Sequence, residues 1–175
     1  ADKGSLAMIT YSFKITAKDP QTEPLRQEFL QRYIANMAEY THYFPQVEET
    51  LNYLKQQHIP WGIVTNRPAF LMPPLIKKYD LNTQAACLIF GDTLTTSKPE
   101  PDMLQHACTL LNTPAEECIY VGDTENDLIA AQRANMPAVF AEYGYLRAES
   151  KRESLHYQAR LKQPSDLITL LQHTQ

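Results

Sequence analysis

Three short stretches of the sequence hold residue types that suit a phosphoryl group beside a hard cation: Thr65-Asn66, Lys98, and Asp123 with Asp127. A hydroxyl and neighbouring backbone N–H groups donate to phosphoryl oxygens, and an ammonium offsets negative charge as it develops. Carboxylates match a hard ion. Mg²⁺ keeps several waters and takes only about one or two protein carboxylates plus substrate oxygen, so Asp123 and Asp127 are the expected metal residues, Asp123 as ligand and Asp127 in support. Thr65, Asn66 and Lys98 are the expected phosphate-binding residues, and Lys98 and Asp127 the expected catalytic ones. Singly, each has a plainer explanation. Thr65-Asn66 suits a helix cap, the two aspartates suit a helix first turn, and a loop lysine is usually solvated. Their joint placement favours a site, because each stretch directly follows an apolar run or leads from one, and open parallel sheets bind ligands beyond the carboxyl ends of their strands.

Those apolar runs set the organisation. Leu25, Phe29, Tyr33, Ile34 and Met37 recur at helical spacing between Thr22 and Glu39, which predicts an amphipathic helix with one buried stripe and a polar face of Arg26, Gln27, Glu28, Gln31 and Arg32. After Tyr43-Phe44-Pro45 the pattern alternates. A helix from Val47 to Gln57 leads to a strand over 60–65, then to a helix opened by Pro68 and interrupted by Pro73-Pro74. Further strands are expected over 86–90, 118–121 and 138–140, with helices over 101–111 and 126–134 and a last helix from Ser165. Thr113-Pro114-Ala115-Glu116 resembles a capping box, and residues 142–161 read as loops with one short edge strand. Short apolar strands alternating with helices indicate an α/β fold, a parallel sheet covered by helices on both faces. Two unequal parts follow: residues 1–42, helical, and residues 43–175, α/β.

The 175 residues carry 16 Lys+Arg against 20 Asp+Glu, a net charge of −4, so no overall positive field draws nucleic acid or an anionic membrane surface. The longest wholly apolar run is six residues, Ala85 to Phe90, far below the roughly 20 needed to cross a bilayer. Cys87, Cys108 and Cys118 form no CxxC pair and read as reduced core thiols, which points to the cytoplasm. The five histidines, His42, His58, His106, His156 and His173, have no metal-ligand spacing. GxGxxG and GxxxxGK[ST] are both absent, which argues against dinucleotide and P-loop chemistry. Ala1 opens the chain and Met8 is its first methionine, so the beginning reads as the interior of a longer protein.

Gly62-Ile63-Val64-Thr65-Asn66, then Ser97-Lys98-Pro99-Glu100-Pro101-Asp102, then Val121-Gly122-Asp123-Thr124-Glu125-Asn126-Asp127 resemble, in order, motifs two, three and four of the haloacid dehalogenase (HAD) superfamily. Gly91-Asp92-Thr93-Leu94 and Tyr143-Gly144-Tyr145 look like its phosphoglycolate phosphatase branch. The resemblance implies a Rossmann-like core over 43–175 and part of a helical cap over 1–42. It also implies a Mg²⁺-dependent phosphatase acting on a small phosphorylated metabolite, as a monomer or homodimer, through an aspartyl-phosphate. The family's nucleophile lies in a DxDGT motif on a first core strand. No such motif occurs in these 175 residues, and Asp92, the nearest imitation, precedes the lysine motif instead. The segment taken alone is therefore expected to be inactive, because losing an activated nucleophile costs orders of magnitude in rate. The stretch Trp61 to Pro68 also resembles phosphatases of N-acetylmuramic acid 6-phosphate, a sugar-phosphate alternative. A Mg²⁺-free dehalogenase is disfavoured by the paired acids. A non-catalytic binding fragment is the remaining alternative.

Overall fold

The computed structural model describes residues 4–145 and 156–174. The chain divides into two compact units, Ala1–His42 and Tyr43–Gln175. In the first, α1 (Gly4–Phe13) packs on α2 (Thr22–Tyr40). The helical reading of residues 1–42 thus includes a helix ahead of the one expected from Thr22. Thr22 anchors the turn between the two, its hydroxyl donating to the Thr16 carbonyl at 2.7 Å while the residue is 2% exposed. The Arg26 guanidinium crosses to the Ser5 hydroxyl at 3.1 Å. The buried line of α2 is Thr22, Leu30 and Met37, whereas Leu25, Phe29, Tyr33 and Ile34 are only half-buried. The expected stripe thus faces inward but is only partly buried, Met37 being its fully buried member. The polar face stands, with Arg32 paired to Glu28 at 2.8 Å and Arg26 to Glu23 at 3.1 Å.

The second unit alternates helix and strand. Helix α3 (Val47–Gln56) carries Glu48 and Glu49 in its first turn and Lys55 in its last, complementing the helix dipole. It leads into β1 (Gly62–Val64). A 3-10 turn (Ala69–Leu71) follows, then α4 (Pro73–Tyr79) and the short α5 (Leu81–Gln84). Pro73 and Pro74 do not interrupt a helix here. They occupy the first two positions of α4, where a missing N–H is harmless. Next come β2 (Cys87–Ile89), α6 (Asp102–Leu111), β3 (Tyr120–Gly122), α7 (Glu125–Arg133) and β4 (Ala138–Ala141). The edge strand expected within 142–161 is β5 (Ala159–Leu161), and the described chain ends in α8 (Asp166–Thr174). Thr113 to Glu116 forms no capping box. Pro114 opens a 3-10 turn (Ala115–Glu117) without side-chain capping.

All described strand pairs are parallel, and they form two sheets: β1-β2, and β3-β4-β5. A continuous apolar core joins them. Ile89, Met103, Leu104, Leu128, Ala130 and Phe140, each at most 2% exposed, interlock β2, α6, α7 and β4. Strands β1 and β3 have one sheet neighbour each and are less buried than β4. Among the described residues no helix is long and apolar enough to cross a membrane.

Candidate active site

The carboxyl ends of β1 and β3 and the loop after β2 deliver polar side chains to one another. From that loop, the Lys98 ammonium enters a protein-lined position, with the residue 8% exposed. It donates to the Val64 carbonyl at 2.8 Å, to the Tyr120 hydroxyl at 2.7 Å and to Asp127 Oδ1 at 2.7 Å. Three N–H donors thus meet three acceptors, and the lysine is fully satisfied. Asn66 fixes the same residue from the backbone side. Its Oδ1 accepts from the Lys98 N–H at 3.0 Å, and its Nδ2 donates to the Lys98 carbonyl at 2.8 Å. Arg133, in the last turn of α7, braces the loop by pairing with Glu100 at 2.7 Å and donating to the Pro99 carbonyl at 3.2 Å.

Asp127 is the third residue of α7 and completes a capping box at its start. The Thr124 hydroxyl accepts from the Asp127 N–H at 3.3 Å, while Asp127 Oδ2 accepts from the Thr124 N–H at 3.0 Å and from its hydroxyl at 2.6 Å. With Lys98 and Tyr120 on Oδ1, donors surround both carboxylate oxygens. Burial pushes the Asp127 carboxyl up, but the Lys98 ammonium and the hydrogen bonds from Lys98 and Thr124 outweigh it. The net result lies below the ordinary 3.8. Gly122 makes the arrangement sterically feasible, since a Cβ there would collide with the Asp127 side chain.

Tyr120 was not among the expected site residues. Its hydroxyl lies 3.1 Å from the Val64 carbonyl and 3.2 Å from Asp127 Oδ1, so it can donate to either while accepting from Lys98. Burial first, then the charge and hydrogen bond of Asp127 and the charge of Asp123, raise its pKa well above 10. The residue lies in a short strand two positions before Gly122-Asp123. A buried phenol needs a polar partner, which Lys98 supplies here, but nothing in the sequence marks this tyrosine as one whose hydroxyl is used.

Asp123 is held on another side. Its Oδ2 accepts from the Tyr145 N–H at 2.8 Å, and Gly144 passes so close that a Cβ would collide with the carboxylate. Burial and then the Asp123 charge raise the pKa of Tyr143. Phe44 packs against both tyrosines, with centroid separations of 5.4 Å to Tyr143 and 5.7 Å to Tyr145. Asp123 Oδ1 accepts no hydrogen bond among the described residues.

The expected residues therefore divide by what they touch. Lys98 and Asp127 meet directly, and Asn66 is bound to the backbone of Lys98. Thr65 continues β1, its N–H donating to the Ile89 carbonyl at 2.9 Å, and its hydroxyl accepts from the Arg67 N–H at 3.1 Å while keeping its own proton. Asp123 and Asp127 do not present equivalent ligands. Among the described residues Asp123 has an open oxygen, whereas Asp127, expected to share the metal, is engaged by protein donors at both oxygens. Among the described residues no three His, Cys, Asp or Glu side chains form a cation-holding group. The donor set present fits a hard cation only if water and phosphoryl oxygens complete its shell, an arrangement common for Mg²⁺. Asp92 caps the 3-10 turn instead, accepting from the Ala69 N–H at 2.8 Å. Lys151 and Arg152, whose paired charges predict a solvated face, lie outside the described residues.

The profile described as haloacid dehalogenase-like hydrolase matches residues 5–141. The chain belongs to the haloacid dehalogenase-like hydrolase family. A phosphoglycolate phosphatase of Xanthomonas campestris pv. campestris is 37% identical over 165 residues, covering 94% of this chain and 74% of that protein. An N-acetylmuramic acid 6-phosphate phosphatase of Pseudomonas aeruginosa is 29% identical over 168 residues, covering 96% and 74%. The same family fold is found in the crystal structure of a "predicted phosphoglycolate phosphatase" from Haemophilus somnus 129pt, with a TM-score of 0.83 at 22% identity over 98% of this chain and 77% of that one. CbbY from Rhodobacter sphaeroides, solved in complex with phosphate, aligns with a TM-score of 0.72 at 19% identity over 86% and 67%.

Proposed function

We propose that this haloacid dehalogenase-like hydrolase is a cytoplasmic phosphatase of small phosphorylated metabolites, with a phosphoglycolate-like ester as its substrate. The carrying observation is the buried Lys98, held by Val64, Tyr120 and Asp127, with Asp123 following the same strand as Tyr120 and one of its oxygens open among the described residues. Lys98 places a fixed positive charge at the strand ends. The Thr65 hydroxyl keeps a proton to donate to a phosphoryl oxygen. Asn66 positions Lys98 through its backbone. Asp127 orients the ammonium.

Asp123 is the residue that would hold Mg²⁺, with Asp127 in support through Lys98 and Thr124. When bound, the ion supplies charge neutralisation on phosphoryl oxygens. The aspartyl-phosphate route needs a carboxylate nucleophile, and the 175 residues contain no DxDGT motif. In this reading they supply the phosphate-binding and cation-binding half of the chemistry, and on their own they turn over orders of magnitude more slowly than a chain that includes the nucleophile. The Pseudomonas aeruginosa relative supports a second reading, in which the substrate is a sugar phosphate of the N-acetylmuramic acid 6-phosphate kind.

Calorimetric titration with phosphoglycolate and N-acetylmuramic acid 6-phosphate, with Mg²⁺ present, tests the proposal. Phosphoglycolate is expected to bind more tightly, with affinity falling about tenfold in T65V, the loss of roughly one good hydrogen bond to a charged group. Tighter binding of the sugar phosphate selects the second reading. Failure to bind either ester overturns both.

A further inference from the structure

Phe44, ahead of α3, and the Tyr143-Gly144-Tyr145 stretch after β4 are far apart in sequence and meet beside Asp123. The Asp123 backbone is fixed between the end of β3 and Thr124, the cap of α7. Its side chain is held more lightly. Among the described residues the carboxylate accepts a hydrogen bond only from the Tyr145 N–H, to Oδ2 at 2.8 Å. Tyr145 by itself is a poor anchor, since it is 83% exposed and belongs to no helix or strand. The chain reaches it through a turn in which the Gly144 N–H donates to the Ala141 carbonyl at 3.1 Å.

Phe44 supplies what Tyr145 lacks. Its backbone belongs to the turn that opens α3, where its carbonyl accepts from the Val47 N–H at 3.2 Å. Gln46 ties the same turn to the approach of α8, accepting from the Ser165 hydroxyl at 2.8 Å and donating to Gln163 Oε1 at 3.2 Å. From that base the Phe44 ring meets Tyr143 edge-on, at a centroid separation of 5.4 Å and an interplanar angle of 67°. It meets Tyr145 at 5.7 Å and 55°. Rings at such separations attract beyond simple burial. One ring thus grips the residues on either side of Gly144, which itself runs so close to Asp123 that a Cβ would meet the carboxylate. Phe44 is 37% exposed, so the grip is separable from the apolar core.

We propose that Phe44 is a positioning residue for Asp123. By holding Tyr143 and Tyr145 it keeps the Tyr145 N–H on Oδ2, which stops the carboxylate from turning and gives its other oxygen one direction. A ligand of fixed direction suits Mg²⁺, which demands near-ideal octahedral geometry. The consequence for the cation rests on the proposed function, in which Asp123 is the residue that would hold it. Phe44 touches neither cation nor ester in this scheme and acts only through the Tyr145 bond.

Amide exchange with solvent, read by NMR on the metal-free 175-residue chain, follows the Tyr145 N–H directly, and calorimetry with Mg²⁺ alone follows the consequence. In F44A the Tyr145 amide is expected to exchange about tenfold faster and Mg²⁺ to bind about tenfold more weakly, the scale set by losing two aromatic pairs. F44Y keeps the ring and is expected to restore both. F44L, which keeps apolar bulk, is expected to speed exchange less than F44A and serves in its place should F44A fail to fold. In D123A the acceptor is gone, and adding F44A is expected to change Tyr145 exchange little further. A ring with a merely structural role would lower stability in urea and leave the Tyr145 amide as it is. An unchanged Tyr145 rate in the folded variant, equal acceleration with and without Asp123, or Mg²⁺ affinity lost in D123A but unchanged in F44A would each overturn the proposal. Faster Tyr145 exchange in F44A, with Mg²⁺ affinity equal in wild type and D123A, supports the positioning of Asp123 and removes Asp123 from the cation instead, so the two readings fail separately.

Discussion

Lys98 Nζ and Asp127 Oδ1 lie 2.7 Å apart, on side chains only 7% and 10% exposed. The contact joins the loop after β2 to the first turn of α7, across 29 residues of sequence. Two charges are withdrawn from water together, and the arrangement tolerates this because each has further hydrogen-bond partners.

Removing one member alone leaves the other buried without its counter-charge. K98M is expected to lose about 3–5 kcal/mol of folding stability, and the double variant K98M/D127L less than that, because a buried pair exchanged for apolar groups is often neutral. Urea denaturation measures both. A double variant as unstable as the sum of the singles would show that the two side chains act independently.

The depressed pKa of Asp127 sets a pH dependence. The carboxyl titrates below its ordinary 3.8 in the folded chain, so its contribution is fully present above that value and is lost as pH falls through the lower folded value. The stability gap between wild type and D127N is expected to be widest at neutral pH and to narrow in that acidic window. A gap of constant size from neutral pH into strong acid would contradict the assignment.

Y120F deletes one of the three acceptors of Lys98 and exposes nothing new to solvent. It is expected to cost about 1–3 kcal/mol, the range for leaving a buried polar group short of a partner. In an alkaline absorbance titration, Y120F should lose the tyrosine that ionises at the highest pH, since Tyr120 is raised well above 10. Loss of amplitude near pH 10 instead would place that phenol in contact with water.

Gly144 and Asp123 are packed so closely that a single methyl group has nowhere to go. G144A should displace the Asp123 carboxylate and weaken Mg²⁺ binding roughly 10–100-fold, as loss of a supporting contact around a ligand does. Calorimetry with Mg²⁺ reads the affinity and far-ultraviolet circular dichroism checks the fold. Equal affinity in G144A and wild type would remove Asp123 from the cation's surroundings.

The alternation of helix and strand was legible because apolar runs such as Ala85 to Phe90 and the amphipathic α6 carry their period in the sequence itself. Local punctuation was harder to read. Pro73-Pro74 suits either a break or a helix start, and only the packing of α4 decides between them. The Thr113 to Glu116 stretch lost its capping role because a three-residue 3-10 turn leaves no room for the reciprocal bond, which Thr124 and Asp127 make instead. Lys98 and Asp127 were readable as polar groups at strand ends. Tyr120 was not, because a tyrosine inside an apolar strand looks like core until its hydroxyl is seen to face a lysine. The unequal roles of Asp123 and Asp127 were equally hidden, since four-residue spacing says that two acids are near one another and nothing about which donors have already claimed them.

The Val64 carbonyl has one further implication. It sits on the edge of β1 that has no strand beside it among the described residues, and its oxygen is taken by an ammonium and a phenol instead of a peptide N–H. A peptide backbone laid along that edge would compete for the same lone pairs, and Lys98 would have to share or surrender them. Annealing of β1 to a new neighbour and the orientation of the cleft's positive charge are thus mutually sensitive, so the ammonium is free to turn toward an anion most readily when its hold on Val64 is relaxed.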